Sequence, residues 1–472
     1  MQILNRKTLL FKLLFVLVDI FLIHLGYVLA FFMKFGWTIP DENLTPYLNT
    51  WPWLTLSALS LFYFYKLYSG YRWRWGEVFA SLVCVILFQA MAAMALSFLF
   101  RGFAFPRTVL LTAPLIQLVL LALWRRAAWH LERRLQEAVR VIVVGQRHEA
   151  AALAEKLEAA TDGAIRVAGL VVGTDLQTGL SEYDDKGDNA DNHCSTLADW
   201  PVLGDVSGFN DCLDSVNPDK IFVCSSLSQE QKVEVVYACV DRDKKVLLVP
   251  DLYGIMLAQA RLDQVDDVPV FTIGRLNIPE ESLIIKRLMD IVLSMIAIVI
   301  TAPLNILAAV AIKLETPGPV FYLQKRLTLQ GKPFYLYKFR TMVVNAEQES
   351  GPVLATEKDP RITRVGRFLR ETRIDEIPQL LNVLKGDMSI VGPRPERPFF
   401  VNELIKDTPE YAYRMNVKSG ITGLAQIAGR YSTSPENKLK YDLLYTKSYS
   451  LSRDLAILLQ TVKVILMKDR AS

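Results

Sequence analysis

The chain has 472 residues, 51% of them hydrophobic, and its 53 basic and 49 acidic side chains nearly cancel to a formal charge of +4. At about 100–200 residues per domain it holds two to four units, and so apolar a composition with 22% charged residues excludes a disordered or nucleic-acid-wrapping chain. Five scattered Cys without a CxxC pair, and four His outside ligand spacing, argue against a disulfide framework or a transition-metal site.

The near-neutral total hides a split. Residues 1–130 carry 11 basic against 4 acidic groups, residues 131–280 carry 14 against 26, and residues 281–472 carry 28 against 19. In the first block four apolar stretches, Leu9 to Phe32, Trp51 to Leu67, Val78 to Phe100 and Val109 to Trp124, each approach the ~20 residues that cross a bilayer as helix. Seven of the eight Trp lie in this block, at the stretch ends where amphipathic rings favour the lipid boundary. Arg6, Lys7 and Lys12, then Lys66, Arg72 and Arg74, then Arg125, Arg126, Arg133 and Arg134 mark one side, with Arg101 among the opposite loops. The positive-inside rule puts the N-terminus and everything after Trp124 in the cytoplasm, and predicts a four-helix transmembrane bundle over residues 1–130. No small-residue cleavage site follows the first stretch, which argues against a signal peptide.

From Val139 the pattern alternates. Val141 to Gly145, Val167 to Val172, Ile221 to Cys224 and Val246 to Val249 read as buried strands, with helices at Glu149 to Ala160 and near Gln229 to Val240. This predicts a parallel-sheet unit of Rossmann type over residues 138–265, with Thr174 to Asp199 as an acidic surface excursion. After Gly145 the chain runs Gln146-Arg147-His148, so the second and third glycines of a dinucleotide fingerprint are missing. A structural or regulatory role is the expectation.

In the basic block, Leu288 to Ile312 is long enough for a fifth span, yet Pro303 sits near its middle and both flanks carry basic residues. A helix-break-helix hairpin over 288–312 that enters one leaflet and returns satisfies both facts. Arginine then recurs at every third position from Arg361 to Arg373, which fits a basic amphipathic helix on an anionic membrane surface and equally a solvated face. In Asp375-Glu376-Ile377-Pro378, followed by Gly386, the proline and glycine bracket one short helix. Two carboxylates at its start fit a capping arrangement; they also fit a nucleophile or metal ligand kept ionised by the helix dipole. Lys338 and Arg340, two apart on a predicted strand, share a face, and Arg394 is preset between Pro393 and Pro395 for a bidentate grip on phosphate. A final helix with an apolar face spans Ser450 to Lys468.

Read together, Lys286-Arg-Leu-Met-Asp-Ile, Lys338-Phe-Arg-Thr-Met, Asp359-Pro-Arg-Ile-Thr-Arg-Val-Gly-Arg-Phe, the run from Asp375 to Pro395 and Gly420-Ile-Thr-Gly-Leu-Ala-Gln-Ile-Ala-Gly-Arg430 resemble, in order, the polyprenyl-phosphate phosphoglycosyl transferases. These are monotopic bacterial sugar transferases that initiate capsule, exopolysaccharide or O-antigen synthesis. The four-span bundle and the Rossmann-like domain resemble the long galactose- or glucose-phosphate transferring subgroup, in which they are accessory to a monotopic α/β catalytic domain, here 281–472. The resemblance implies attack of Asp375 on the β-phosphorus of a UDP-hexose, release of UMP, and transfer to undecaprenyl phosphate. It further implies Mg²⁺ at Glu376 and Asp375, phosphate or substrate contacts from Lys338, Arg340, Arg394 and Arg430, and a supporting role for Asp442. The implied setting is the bacterial inner membrane, with the catalytic domain on the cytoplasmic face among membrane lipids and the chain as a homodimer; nothing points to nucleic acid. Ser419 and Leu424 depart from the proline and tryptophan usual in relatives. The competing readings are a membrane-bound nucleotide-sugar dehydratase, whose TGxxGxxG and Tyr-x-x-x-Lys signatures are missing, and a non-catalytic membrane scaffold.

Overall fold

The computed structural model describes residues 2–68, 74–100, 105–135, 138–161, 163–173, 200–258, 260–272, 278–344, 359–429 and 433–467. The acidic excursion at 174–199, Arg72, Trp73 and Arg101, and the side chains of Arg6, Lys7 and Lys12, lie outside the described residues. The chain divides into two units, Met1–Asp251 and Leu252–Ser472.

The first unit opens with α1 (Gln2–Phe35), α2 (Asp41–Phe64), α3 (Trp75–Leu99) and α4 (Arg107–Leu135), with α1 packed on α4, α4 on α3 and α3 on α2. Gly26 lets α1 and α4 approach closely, since a Cβ there would lie 2.4 Å from Gln117 Cγ. Gln117 Nε2 donates to Ile23 O at 2.9 Å and Gln89 Nε2 to Leu54 O at 2.9 Å. The buried Arg125 guanidinium pairs with the buried Asp19 carboxylate and donates to Leu67 O at 3.1 Å. Polar contacts of this kind join helices where lipid supplies no hydrophobic drive.

Among the described residues, four helices are long and apolar enough to cross a membrane: Leu13–Phe35, Trp75–Leu99, Arg107–Arg134 and Glu280–Glu315. The second expected span is a helix, α2, but falls outside this set. Pro46, Pro52 and its Trp, Thr and Ser residues dilute its hydropathy. The fourth such helix lies instead in the second unit.

The first unit continues through β1 (Val139–Gly145), α5 (Arg147–Thr161), β2 (Ile165–Val172), β3 (Val202–Asp205), α6 (Phe209–Val216), β4 (Lys220–Val223), α7 (Gln229–Asp241) and β5 (Lys245–Leu248). The strands form one parallel sheet in the order β3-β2-β1-β4-β5. Ile142, Val144, Ile221 and Val223 face α6 and α7, while Val141 and Val143 face Ala150 and Ala154 of α5. Burial on both faces explains why β1 reads as an unbroken apolar run. The half-exposed β3, four residues long, and α6 carry no such run and escaped the periodicity.

The second unit comprises α8 (Leu252–Leu257), the hairpin of β6 (Arg261–Val265) and β7 (Val268–Thr272), α9 (Glu280–Glu315), the antiparallel pair β8 (Phe321–Leu327) and β9 (Pro333–Phe339), α10 (Arg364–Glu371), α11 (Gln379–Lys385), β10 (Ser389–Val391), α12 (Pro398–Asp407), β11 (Gly420–Thr422), α13 (Leu424–Ala428), α14 (Pro435–Lys447) and α15 (Leu451–Leu466). Strands β10 and β11 pair in parallel. Leu336, Val383, Met388, Val391, Tyr445 and Ile457 form its main core. Ile255 of α8 packs with Val401, Tyr411 and Leu443, so the end of the segment read as the middle domain belongs to this unit by contact.

Helix α9 is built into the unit at both ends. Near its start, Lys286 Nζ donates to Asp454 Oδ2 at 2.7 Å and Val391 O at 2.9 Å, and Arg287 donates to Val383 O at 2.6 Å and Leu384 O at 2.8 Å. Asp290 Oδ1 accepts from Ser389 Oγ at 3.1 Å and Ile390 N at 3.0 Å. Near its end, Ala308 and Ile312 pack on Phe339 and Leu369, and the Glu315 carboxylate accepts from Arg364 N at 2.7 Å and Val365 N at 3.1 Å. Between these anchors Met295, Ile296, Val299, Ile300, Ile306 and Leu307 are exposed. The break expected at Pro303 is not an interruption of the helix: residues 280–315 are helical throughout, with Pro303 inside.

Candidate active site

Strand β9 delivers Lys338, and a 3-10 turn over Ile374–Glu376 delivers the carboxylates. That turn follows Arg373, whose φ of 59° is left-handed, and precedes α11, capped by Pro378 and by Gly386 at φ 94°. The bracketing proline and glycine thus act as the sequence indicates. The carboxylates, however, stand one turn ahead of α11 rather than in its first turn. Burial and the neighbouring side chains, Lys338 and Arg394 among them, act on their proton affinities.

Glu376 Oε1 accepts from Lys338 Nζ at 3.0 Å and from Arg394 Nη2 at 2.6 Å. Burial raises the affinity of Glu376 for a proton, but Arg394 and Lys338 outweigh it and hold this carboxyl far below its ordinary range. Asp375 is buried, and its pKa is raised: desolvation exceeds the opposing pull of Lys338, and the charge of Glu376 adds to the rise. Two adjacent carboxylates are therefore driven apart in proton affinity, the pattern that separates roles in acid, base and nucleophile chemistry. With both ionised, the pair offers oxygen donors of the kind Mg²⁺ takes from one or two carboxylates plus substrate phosphates.

Arg394 owes its position to backbone packing. Gly420 N donates to Pro393 O at 2.8 Å and Gly392 N to Thr422 O at 2.8 Å. A Cβ on Gly392 would fall 2.4 Å from Lys418 O, and one on Gly420 would fall 2.1 Å from Gly392 N. The Gly-Pro-Arg-Pro and Gly-Ile-Thr-Gly motifs are thus the two halves of one contact between main chains, which admits only glycine.

Behind Arg394 stands Arg414, which sequence reasoning missed. Its Nη2 donates to Arg394 O at 2.9 Å and lies 3.1 Å from Asp442 Oδ2. Burial pushes the Asp442 carboxyl up to about 6 against the pull of Arg414. Asp442 is therefore linked to the site through Arg414 and the Arg394 backbone. A lone Arg in the 3-10 helix Pro409–Asn416 gives no sequence signal for this.

Arg340 is not brought to the carboxylates. Its buried guanidinium donates to Pro317 O at 2.7 Å and to Thr316 O and Oγ1 at 2.9 Å, closing the end of α9. Arg430 lies outside the described residues. The arginine repeat is only partly helical: α10 covers Arg364 to Arg370, Arg361 pairs with Asp359 ahead of it, and Arg373 follows in the left-handed conformation. Ser419 Oγ donates to Leu327 O at 2.9 Å and Leu424 packs on the core, so these two departures are accommodated as structural contacts. Asn382 is a further missed residue: its Oδ1 accepts from Tyr337 N at 2.9 Å and its Nδ2 donates to Tyr335 O at 2.8 Å, stitching α11 to β9.

In the first unit, Glu149 occupies the crevice at the carboxyl ends of β1 and β4, where the strand order reverses. Its carboxylate accepts from Ser225 Oγ at 2.7 Å and Ser226 N at 3.0 Å. A ligand phosphate at this switch point would have to displace it.

Residues 281–468 match the family described as bacterial sugar transferase. The chain is 46% identical over 185 residues to the UDP-N-acetylgalactosamine-undecaprenyl-phosphate N-acetylgalactosaminephosphotransferase of Aeromonas hydrophila, covering 39% of this chain and 44% of that one. It is 35% identical over 279 residues to the UDP-glucose:undecaprenyl-phosphate glucose-1-phosphate transferase of Xanthomonas campestris, covering 57% and 58%. A protein of that same name from Caulobacter vibrioides is 46% identical over 193 residues, covering 39% of this chain and 71% of the relative. The chain belongs to the bacterial sugar transferase family. It spans about half the length of the Aeromonas and Xanthomonas relatives it matches.

Proposed function

We propose that the chain transfers a hexose-1-phosphate from a UDP-sugar to undecaprenyl phosphate, with Asp375 as the nucleophile. An Asp375 carboxylate oxygen attacks the β-phosphorus, the bond from that phosphorus to the bridging oxygen breaks, and UMP leaves with the electron pair. An oxygen of undecaprenyl phosphate then attacks the same phosphorus and displaces Asp375, giving the sugar diphospholipid. The observation that carries this reading is the buried Asp375 carboxylate beside a Glu376 held by both Lys338 and Arg394.

Lys338 and Arg394 are suited to grip the diphosphate once it draws them from Glu376. Glu376 and Asp375 would hold Mg²⁺, which when bound offsets the charge on the departing phosphate. Arg414 and Asp442 keep the Arg394 turn in place.

The two anchored ends of α9 support a re-entrant helix that bends near Pro303 and returns to one face, since a proline relaxes the helix locally. The strand order of the first unit supports a doubly wound sheet, with Glu149 in the nucleotide position supporting an accessory role. By the positive-inside reading, the catalytic unit works at the cytoplasmic face of the bacterial inner membrane.

The test is to follow UMP from the purified chain with a panel of UDP-hexoses, Mg²⁺ and undecaprenyl phosphate. Asp375→Asn should lower the rate about 10⁴-fold or more. Equal UMP from that variant overturns Asp375 as nucleophile, and no UMP from any UDP-sugar overturns the transferase reading itself.

A further inference from the structure

A cleft of about 410 Å³ opens between the outer edge of β8 and the start of α12, lined by Tyr322, Gln324, Lys325, Tyr335, Arg397 and Phe399 among others. Its volume lies in the range of small-molecule sites. Tyr322 and Gln324 lie on the face of the pair that carries Lys338, and Lys325 with its partner Tyr335 on the other, so the cleft wraps the strand edge and adjoins the carboxylate site on its Tyr322 side. Tyr322 is the cross-strand partner of Lys338, and directly opposed residues of an antiparallel pair share a face. On the other side, Arg397 stands three residues beyond Arg394, and Arg326 Nη1 braces the intervening turn by donating to Pro395 O at 3.2 Å.

The lining has a particular chemistry. Tyr322, Tyr335 and Phe399 are all exposed, at 40%, 60% and 55%, so their rings are offered to solvent rather than spent in the core. Gln324 Oε1 accepts from Arg326 Nε at 3.1 Å and Nη2 at 2.6 Å. This fixes the amide with its NH₂ group as the donor end: one N–H reaches Tyr322 Oη at 3.5 Å, and the other is the donor presented to a ligand. Lys325 and Arg397 add cations, and none of the lining residues carries a carboxylate. Aromatic faces, an oriented amide donor and cations beside a phosphate-gripping pair match a nucleotide: a base that stacks, a carbonyl that accepts, and phosphates that run toward Lys338 and Arg394.

We infer that this cleft holds the nucleoside of the UDP-sugar, with the uracil stacked on Tyr322 or Phe399, an assignment that rests on the transferase reading. The lining rings are exposed, as suits a group that binds and leaves as UMP.

The experiment uses the full chain in lipid nanodiscs and measures KM for the UDP-sugar, KM for undecaprenyl phosphate, and inhibition by UMP and by uridine, which lacks phosphates. Tyr322→Ala and Phe399→Ala should raise the donor KM and the Ki values of UMP and uridine about 5- to 100-fold, leaving the lipid KM in place. Tyr322→Phe and Phe399→Tyr should restore them, which a folding defect in the alanine variants would not mimic. Unchanged donor KM and Ki values, or a rise confined to the lipid KM, overturn the nucleoside assignment while the wild type still releases UMP. A wild type that releases no UMP from any UDP-sugar sinks the transferase reading and this assignment together.

Discussion

At the scale of single residues, the site is a balance of two anions against two cations in partial burial, and its pH response follows. As the proposed nucleophile, Asp375 would attack only when ionised, so activity should fall on acidification through a pKa raised by burial and by the Glu376 charge, against the pull of Lys338. Glu376→Gln removes that charge and lowers the pKa of Asp375. The acid limb of kcat/KM should therefore move to lower pH, while the rate falls about 100-fold because Lys338 and Arg394 lose their shared anchor. An acid limb that stays where it is would show that Asp375 does not titrate in that profile. The four groups of this cluster were legible in sequence because each lies within a short motif. Arg340 and Asn382 lie within the same motifs, but their partners lie far along the chain. Arg340 meets Thr316 and Pro317 more than twenty positions away, and Asn382 meets β9 across forty-five or more. What a guanidinium or an amide pairs with at such separation depends on the folded topology, which local spacing does not encode.

At the scale of elements, the contact between α9 and α11 decides how firmly the carboxylate turn is held. Arg287 donates two bonds to carbonyls in the last turn of α11, Val383 O, which also accepts from Gly386 N, and Leu384 O. Arg287→Ala should cost about 2–4 kcal/mol, since hydrogen bonds from a charged donor contribute about 1.5–3 each and are not fully additive. In a unit of this size that corresponds to a melting shift of about 5–10 °C, read by a thermal scan in detergent. Arg287→Lys should recover little, because a single ammonium cannot reproduce the fork. Equal melting of wild type and Arg287→Ala would remove this helix contact from the account. Element boundaries were predictable where an apolar run or a Pro/Gly pair marked them, as in β1 and α11. They were not where tertiary contacts rule: the three-residue arginine period continues on both sides of α10, but Arg361 is held by Asp359 and Arg373 turns the chain into the carboxylate turn.

Across the whole molecule, each unit has a buried ion pair tying distant segments together, Asp19 to Arg125 in the helical bundle and Lys286 to Asp454 in the catalytic unit. Removing one partner of such a pair strands a charge. Arg125→Ala should therefore destabilise the bundle by about 3–5 kcal/mol, while the double change Asp19→Leu with Arg125→Met should recover most of it. Unfolding in detergent followed by Trp fluorescence compares the two. If the double variant is no more stable than the single one, the pair is not an isolated electrostatic unit. The position of the fourth long apolar helix was legible as hydropathy, but its attachment was not, because the Lys286, Asp290 and Glu315 contacts that fasten it reach segments far along the chain. Those contacts also bear on mechanical release. A protease that cut α9 within its exposed stretch, near Val299 and Ile300, would leave each half of the helix still fastened to the same unit. Cleavage there would not split the catalytic unit, as it would a domain held by a single tether, because each helical stump keeps its own contacts with that unit.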